Sequence, residues 1–195
     1  AALLATLDPA SPKWADVYAD LTDWLTSQPE FVVADWAELL MPLRTHVTKN
    51  LRARMTKPMS LEQGNAAVSL ATFYADEPPV LAELLAEAPS RFVPVFTESM
   101  RWNRSQSVQM LKNLISEADI SDPSTGISTA NCGIALALLG SEKSAARLLR
   151  SIPEPYVRGA IINGLAIIKT TRYGLDELFA WLGTEPDDGV QIALL

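Results

Sequence analysis

A cluster of basic side chains between residues 44 and 57 is the part of this sequence best suited to bind an anion. The segment RTHVTKNLRARMTK carries five cations and no acid, in a chain whose net charge is −7. On a helix these cations would line one exposed side, where they could bind a phosphate, a nucleic acid or an acidic partner. The cations of this basic segment are Arg44, Lys49, Arg52, Arg54 and Lys57.

A solvated helix face explains the same basic segment without a ligand. Leu43, Val47, Leu51 and Met55 follow one another at intervals of four residues, which predicts a helix that buries these four and exposes the cations. Charge runs are usually solvated faces, and the first 40 residues hold seven acids against the single cation Lys13. We favour this interpretation, with the cations paired to those acids, and keep the anion site as the alternative.

The tetrapeptide RWNR places Trp102 between Arg101 and Arg104. An indole flanked by guanidinium groups could stack a nucleic-acid base or an aromatic ligand. Tryptophan is largely buried in most folded proteins, so we favour a corner between two helices where the indole covers the edge of the core.

Other residues that could do chemistry are few. Cys132 lies in the apolar stretch TANCGIALALL and reads as a small buried hydrophobe, while His46 has no evident carboxylate, serine or cysteine partner. One cysteine and one histidine cannot build a Cys/His metal cluster. We therefore predict no catalytic residue, no cofactor and no metal site.

The composition indicates a folded protein outside the membrane. Hydrophobic residues make up 48% of the 195 residues and charged residues 20%, which argues against disorder. The longest strongly apolar run, Gly133–Gly140, is far shorter than the roughly 20 residues that a bilayer requires. The amino terminus lacks the basic region of a signal peptide, so we expect a cytoplasmic protein. Both ends are apolar and uncapped, which suggests a piece of a longer polypeptide.

Apolar residues recur at helical spacing throughout the chain, and strand-type alternation is not sustained anywhere. The sequence therefore predicts an all-α fold. The capping-box pattern Ser27–Glu30, in which serine is followed three residues later by glutamate, predicts a helix start. The predicted helices span residues 12–27, 29–40, 42–57, 60–75, 79–88, 90–101, 103–118, 124–139, 142–151, 155–169 and 174–183, with a last one from 186 onward.

A set of prolines recurs with a nearly constant period. The separations are 29, 31, 34, 32 and 31 residues, and each interval has room for two helices and a turn. This period favours a HEAT-like α-solenoid of about five helical hairpins with partial repeats at both ends, forming a single domain over residues 1–195. A compact irregular bundle is the alternative. The prolines of the set are Pro29, Pro58, Pro89, Pro123, Pro155 and Pro186.

Two blocks of the chain, Leu61–Phe96 and Pro155–Leu195, resemble the helical-repeat region of large planctomycete proteins. In that family a serine/threonine kinase precedes HEAT-like repeats, and a formylglycine-generating-enzyme-like (sulfatase-modifying-factor) domain follows them. The resemblance implies a middle, non-catalytic segment. The sequence contains no glycine-rich loop, V-A-I-K, H-R-D or D-F-G motif, so the kinase activity has no residues here to carry it.

Two functions are consistent with these patterns. The first is a non-catalytic scaffold or spacer in a larger kinase-type signalling protein, which would contact a protein partner or neighbouring domains through the basic segment and the Arg101, Trp102 and Arg104 corner. Weak self-association through an apolar end face would accompany it. The alternative is a nucleic-acid-binding or DNA-glycosylase-like HEAT protein using residues 44–57, which the acidic balance of the chain disfavours.

Overall fold

The computed structural model describes residues 2–57, 61–118, 123–151 and 155–169, together with residue 183. Helices, turns and short connections account for all of this described part, and it contains no β-strand. The prediction of an all-α fold is confirmed. None of these helices combines the length and the apolar character that crossing a membrane requires.

The chain divides into two compact units, Ala1–Asp76 and Glu77–Leu195. In the first unit α5 is central, because it packs against α2, α3 and α4, while α2 also packs against α3 and α4. The helices of this unit are α1 (Ala2–Leu7), α2 (Tyr18–Thr26), α3 (Glu30–Leu39), α4 (Arg44–Met55) and α5 (Leu61–Phe73), with 3-10 turns at Pro12–Asp16 and Met41–Leu43.

In the second unit α9 is central, because it packs against α6, α7, α8, α10 and α11. The helices of this unit are α6 (Pro78–Glu87), α7 (Val93–Met100), α8 (Arg104–Glu117), α9 (Pro123–Leu138), α10 (Glu142–Ser151) and α11 (Pro155–Lys169), with 3-10 turns at Ser90–Phe92 and Arg101–Asn103.

The set α2–α5 and the set α6–α9 are built on one packing scheme. In each set the first helix packs against the other three, and the last helix also packs against the second and third. Buried apolar residues recur 60 positions apart through the first three helices of each set, and 66 positions apart in the fourth. Matching buried pairs are Leu21 and Leu81, Leu25 and Leu85, Val33 and Val93, Leu40 and Met100, Leu51 and Leu111, and Leu70 and Leu136.

This duplication spans two of the predicted proline intervals. Pro29 and Pro89 occupy the position before a helix, and Pro123 and Pro155 begin one. A proline suits these places because the first turn of a helix leaves its N–H groups without intrahelical acceptors. The described helices begin and end within a few residues of the predicted bounds, and the single domain over residues 1–195 stays an expectation.

Three local predictions differ from the structure. The short helix α1 was not predicted, and the predicted helix 12–27 is a 3-10 turn followed by α2. The capping box at Ser27–Glu30 does not form, because Ser27 ends α2 in helical geometry and its hydroxyl donates back to the carbonyl of Trp24 over 2.8 Å. The helices predicted over 174–183 and from 186 lie outside the described residues, apart from residue 183, which is helical.

Candidate interaction surfaces

The basic segment forms α4 and the turn after it. Val47, Leu51 and Met55 are buried along one face of this helix, and Leu43 is buried just before it. The predicted apolar stripe is therefore confirmed. It faces the core through contacts of α4 with α2 and α5, which leaves the cations at the edges and on the outer side of the helix.

Arg54 joins three helices of the first unit. Its guanidinium pairs with the carboxylate of Asp23 on α2 and, at 2.9 Å, with that of Glu62 on α5. The predicted pairing between the basic segment and the acids of the first 40 residues is thus realised at Asp23.

Arg44 closes the end of α5. Its Nη1 donates to the carbonyl of Phe73 over 2.8 Å and lies 3.2 Å from Oδ1 of Asp76. The guanidinium also lies over the ring of Tyr74, 5.3 Å from its centroid. A cation is favourable at a helix C-terminus, where carbonyl groups lack intrahelical donors. Arg44 is therefore a capping residue for α5.

The remaining cations of the basic segment differ in exposure. Arg52 is half-buried, whereas Lys49 and Lys57 are exposed. Arg44 begins α4 and Arg54 comes ten residues later, which at 1.5 Å per residue separates them by about 15 Å along the helix. The structure thus spreads the five predicted cations along α4, and two of them serve the packing of the first unit.

Arg101, Trp102 and Arg104 meet at the 3-10 turn between α7 and α8. Nη2 of Arg104 donates to the carbonyl of Gly140 over 3.1 Å and its Nε donates to that of Leu139. Arg101 donates to the carbonyl of Leu138 and pairs with Glu98 at 3.0 Å. Both arginines therefore bind the C-terminal end of α9.

Trp102 is 87% exposed. The expectation that its indole covers the edge of the core is wrong. Met100 just before the turn and Ser107 just after it are buried, and they fill the inward positions that the indole would otherwise take. The two neighbouring arginines are held by backbone carbonyls, so the indole stands on an anchored corner.

Two buried asparagines that the sequence analysis did not single out connect helices in each unit. Nδ2 of Asn65 on α5 donates to the carbonyls of Thr26 and Gln28, both at 2.7 Å, where α2 ends. Nδ2 of Asn131 on α9 donates to the carbonyl of Ala88 at 2.7 Å and contacts those of Leu85 and Ala86 where α6 ends. The two residues follow Pro58 and Pro123 by seven and eight positions, and this spacing is the signal that could have revealed them.

An open apolar groove lies along the start of α2. Its volume is about 890 Å³ and its apolar lining consists of Trp14, Val17, Leu21 and Trp24. Trp14 is buried and its indole N–H donates to the carbonyl of Asp8 over 2.8 Å, so it forms a fixed floor. Trp24 was expected to lie in the core or between repeats, yet it is 38% exposed while its ring packs edge-on against Trp36 at 5.0 Å.

The groups that could titrate or bind metal offer little chemistry. Burial raises the pKa of the Cys132 thiol to about 12, so it is an inert apolar residue at neutral pH, as predicted. His46 is exposed and stacks on the ring of Tyr18, with 4.6 Å between centroids. No group of three or more histidine, cysteine, aspartate or glutamate side chains suited to a metal ion occurs in the described ranges.

Comparisons of this chain with protein-family models, with curated proteins and with solved structures found no match.

Proposed function

We propose that this chain is a non-catalytic helical-repeat module that binds protein partners and holds them at fixed positions. A HEAT-like solenoid is the architecture we propose for it. This architecture is supported by the proline period and by the shared packing of α2–α5 and α6–α9, since stacked copies of one helical unit are how such scaffolds are built.

Trp102 is the observation that carries the proposal. An indole that is 87% exposed leaves a large apolar surface in water, and tryptophan is among the residues that dominate protein–protein binding energy. The corner is held by hydrogen bonds from Arg101 and Arg104 to the end of α9, so little conformational entropy is lost when a partner covers the indole.

The proposal can be tested by comparing the binding partners of the wild type and of Trp102→Ser by chemical cross-linking in cells. Ile127→Ser is a matched control, because Ile127 is also an exposed large apolar residue of the second unit. We expect Trp102→Ser to lose at least one cross-linked partner that Ile127→Ser retains, with both variants as stable as the wild type. Equal sets of partners in all three proteins would contradict the role of this corner.

The family resemblance extends this proposal to the parent protein. We propose that the module is a cytoplasmic spacer or regulatory segment of a serine/threonine-kinase-type signalling protein. The basic segment remains a candidate surface in this role through its exposed residues Lys49 and Lys57, since Arg44 and Arg54 are engaged within the first unit.

A further inference from the structure

The groove along α2 has the dimensions of a helix-binding site. Val17, Leu21 and Trp24 are spaced four and three residues apart, so they form one stripe along the helix. At 1.5 Å per residue the stripe is about 10 Å long, which corresponds to two turns of a partner helix. The groove is open along its length, and Trp14 forms its floor.

The corresponding face of the second unit is buried. Leu81 and Leu84 lie 60 positions after Leu21 and Trp24, and both are fully buried in an all-helical part of the chain. The same face of α2 therefore belongs to a type of helix surface that is covered elsewhere in this protein. At Trp24 the larger, partly exposed indole replaces the buried leucine and widens the apolar surface that a partner could use.

The charges around the groove are acidic. Asp8 and Asp20 line it, with Lys13 as the cation among its lining residues. Asp16 is exposed in the same 3-10 turn as Trp14. An apolar stripe beside these carboxylates is complementary to a helix that carries aliphatic or aromatic anchors on one face and lysine or arginine beside them.

We propose that the groove formed by Trp14, Val17, Leu21 and Trp24 binds a basic amphipathic helix of another protein. The partner helix inserts anchors at positions i, i+3, i+4 and i+7 between Val17 and Trp24, and its cations approach Asp8 and Asp20. The inference rests on the proposed role as a protein-binding module, and it assigns a class of partner to a surface of the first unit that does not involve Trp102.

The direct test measures binding of two labelled synthetic helices of about 14 residues, roughly four turns, by fluorescence anisotropy. Both carry leucine at i, i+3, i+4 and i+7, and their remaining charged positions are lysine in one peptide and glutamate in the other. We expect the lysine peptide to bind at least about tenfold more tightly than the glutamate peptide at low salt, with the difference shrinking as salt is added.

Two charge-reversal variants locate the site. Asp20→Lys removes an acid that lines the groove, whereas Asp35→Lys makes the same change in net charge on an exposed position of α3 outside the lining. We expect Asp20→Lys to weaken binding of the lysine peptide by about tenfold and Asp35→Lys by less than about twofold. Val17→Ser tests the apolar contacts and should weaken binding of both peptides.

Several outcomes would overturn the inference. Equal binding of the two peptides would remove the charge complementarity, and equal effects of Asp20→Lys and Asp35→Lys would place the peptide elsewhere. A mass that doubles with protein concentration and returns to that of the monomer in Val17→Ser would make a second copy of this chain the occupant. Binding of a small apolar dye without binding of either peptide would assign the groove to a small molecule. None of these results bears on the Trp102 corner, so the proposed function would be judged separately.

Discussion

The helices α2–α5 and α6–α9 are held together by the same two side-chain devices. In each set an asparagine on the fourth helix, Asn65 or Asn131, binds the carbonyls where the first helix ends. In each set the arginine that begins the third helix, Arg44 or Arg104, binds the carbonyls where the fourth helix ends. Helix ends carry carbonyl groups without intrahelical donors, so both devices satisfy the same need in both sets.

The surfaces of the two sets differ where the interiors agree. The corner before the third helix has Pro42 in one set and the exposed Trp102 in the other, at positions 60 residues apart. Along the first helix the partly exposed Trp24 corresponds to the buried Leu84. The polar contacts shared by both sets therefore serve the fold, and the positions at which the sets differ are those where partner binding is best sought.

The largest expected effect comes from replacing either buried asparagine by aspartate. A carboxylate cannot donate to the carbonyls that Asn65 and Asn131 now bind, and it would be buried among acceptors without a counter-charge. We expect Asn65→Asp and Asn131→Asp each to lower the free energy of unfolding by about 3–5 kcal/mol. Chemical denaturation measures this loss, and hydrogen exchange should show it first in α5 for Asn65→Asp and in α9 for Asn131→Asp.

Asn163 is the control for this pair. It follows Pro155 by eight positions, as Asn131 follows Pro123, but it is exposed on α11. Asn163→Asp should change the free energy of unfolding by less than about 0.5 kcal/mol. A loss at Asn163 as large as that at Asn131 would show that the substitution harms any helix, and that the buried contacts are not the cause.

A smaller effect is expected when the capping arginines are replaced by methionine, which keeps the apolar stem of the side chain. Arg44 is half-buried and also contacts Asp76 and the ring of Tyr74, so Arg44→Met should cost about 2 kcal/mol. Arg104 is exposed, and Arg104→Met should cost about 1 kcal/mol. Thermal unfolding compares the two with Lys49→Met, an exposed position on α4 for which we expect almost no change. Equal losses for all three would mean that neither arginine caps a helix.

Helical periodicity predicted much of this fold correctly because burial and the proline joints leave local signals. The core face of α4 could be identified from Val47, Leu51 and Met55, and helix starts from prolines such as Pro29 and Pro89. These properties depend on neighbours three or four residues away. A period of two intervals is weaker in sequence, because matched positions keep their burial while their residue types change, as Leu40 and Met100 do.

The candidate surfaces were harder to predict because exposure depends on contacts distant in sequence. The residues RWNR do not show that Met100 and Ser107 fill the inward positions at that corner and leave Trp102 outside. The hydrogen-bond acceptors of Asn65 and Asn131 lie more than 35 residues away along the chain. Only a comparison of positions 60 to 66 residues apart reveals that these contacts occur twice.

The smallest expected effect concerns the one feature of the α9 end that α5 lacks. Gly140 has a φ of 68° and ends α9 with two reversed hydrogen bonds, from Gly140 N to Ala137 O and from Ser141 N to Leu136 O. The matching residue 66 positions earlier is Tyr74, which lies beneath the guanidinium of Arg44. Gly140→Ala should lower the free energy of unfolding by about 1 kcal/mol, because a side chain is disfavoured in the left-handed region. Gly159→Ala is the matched control within α11, where an added Cβ meets no atom within 4 Å, and it should instead raise that free energy by about 0.5–1 kcal/mol. Denaturation curves that shift in opposite directions would show that α9, unlike α5, depends on a glycine to end.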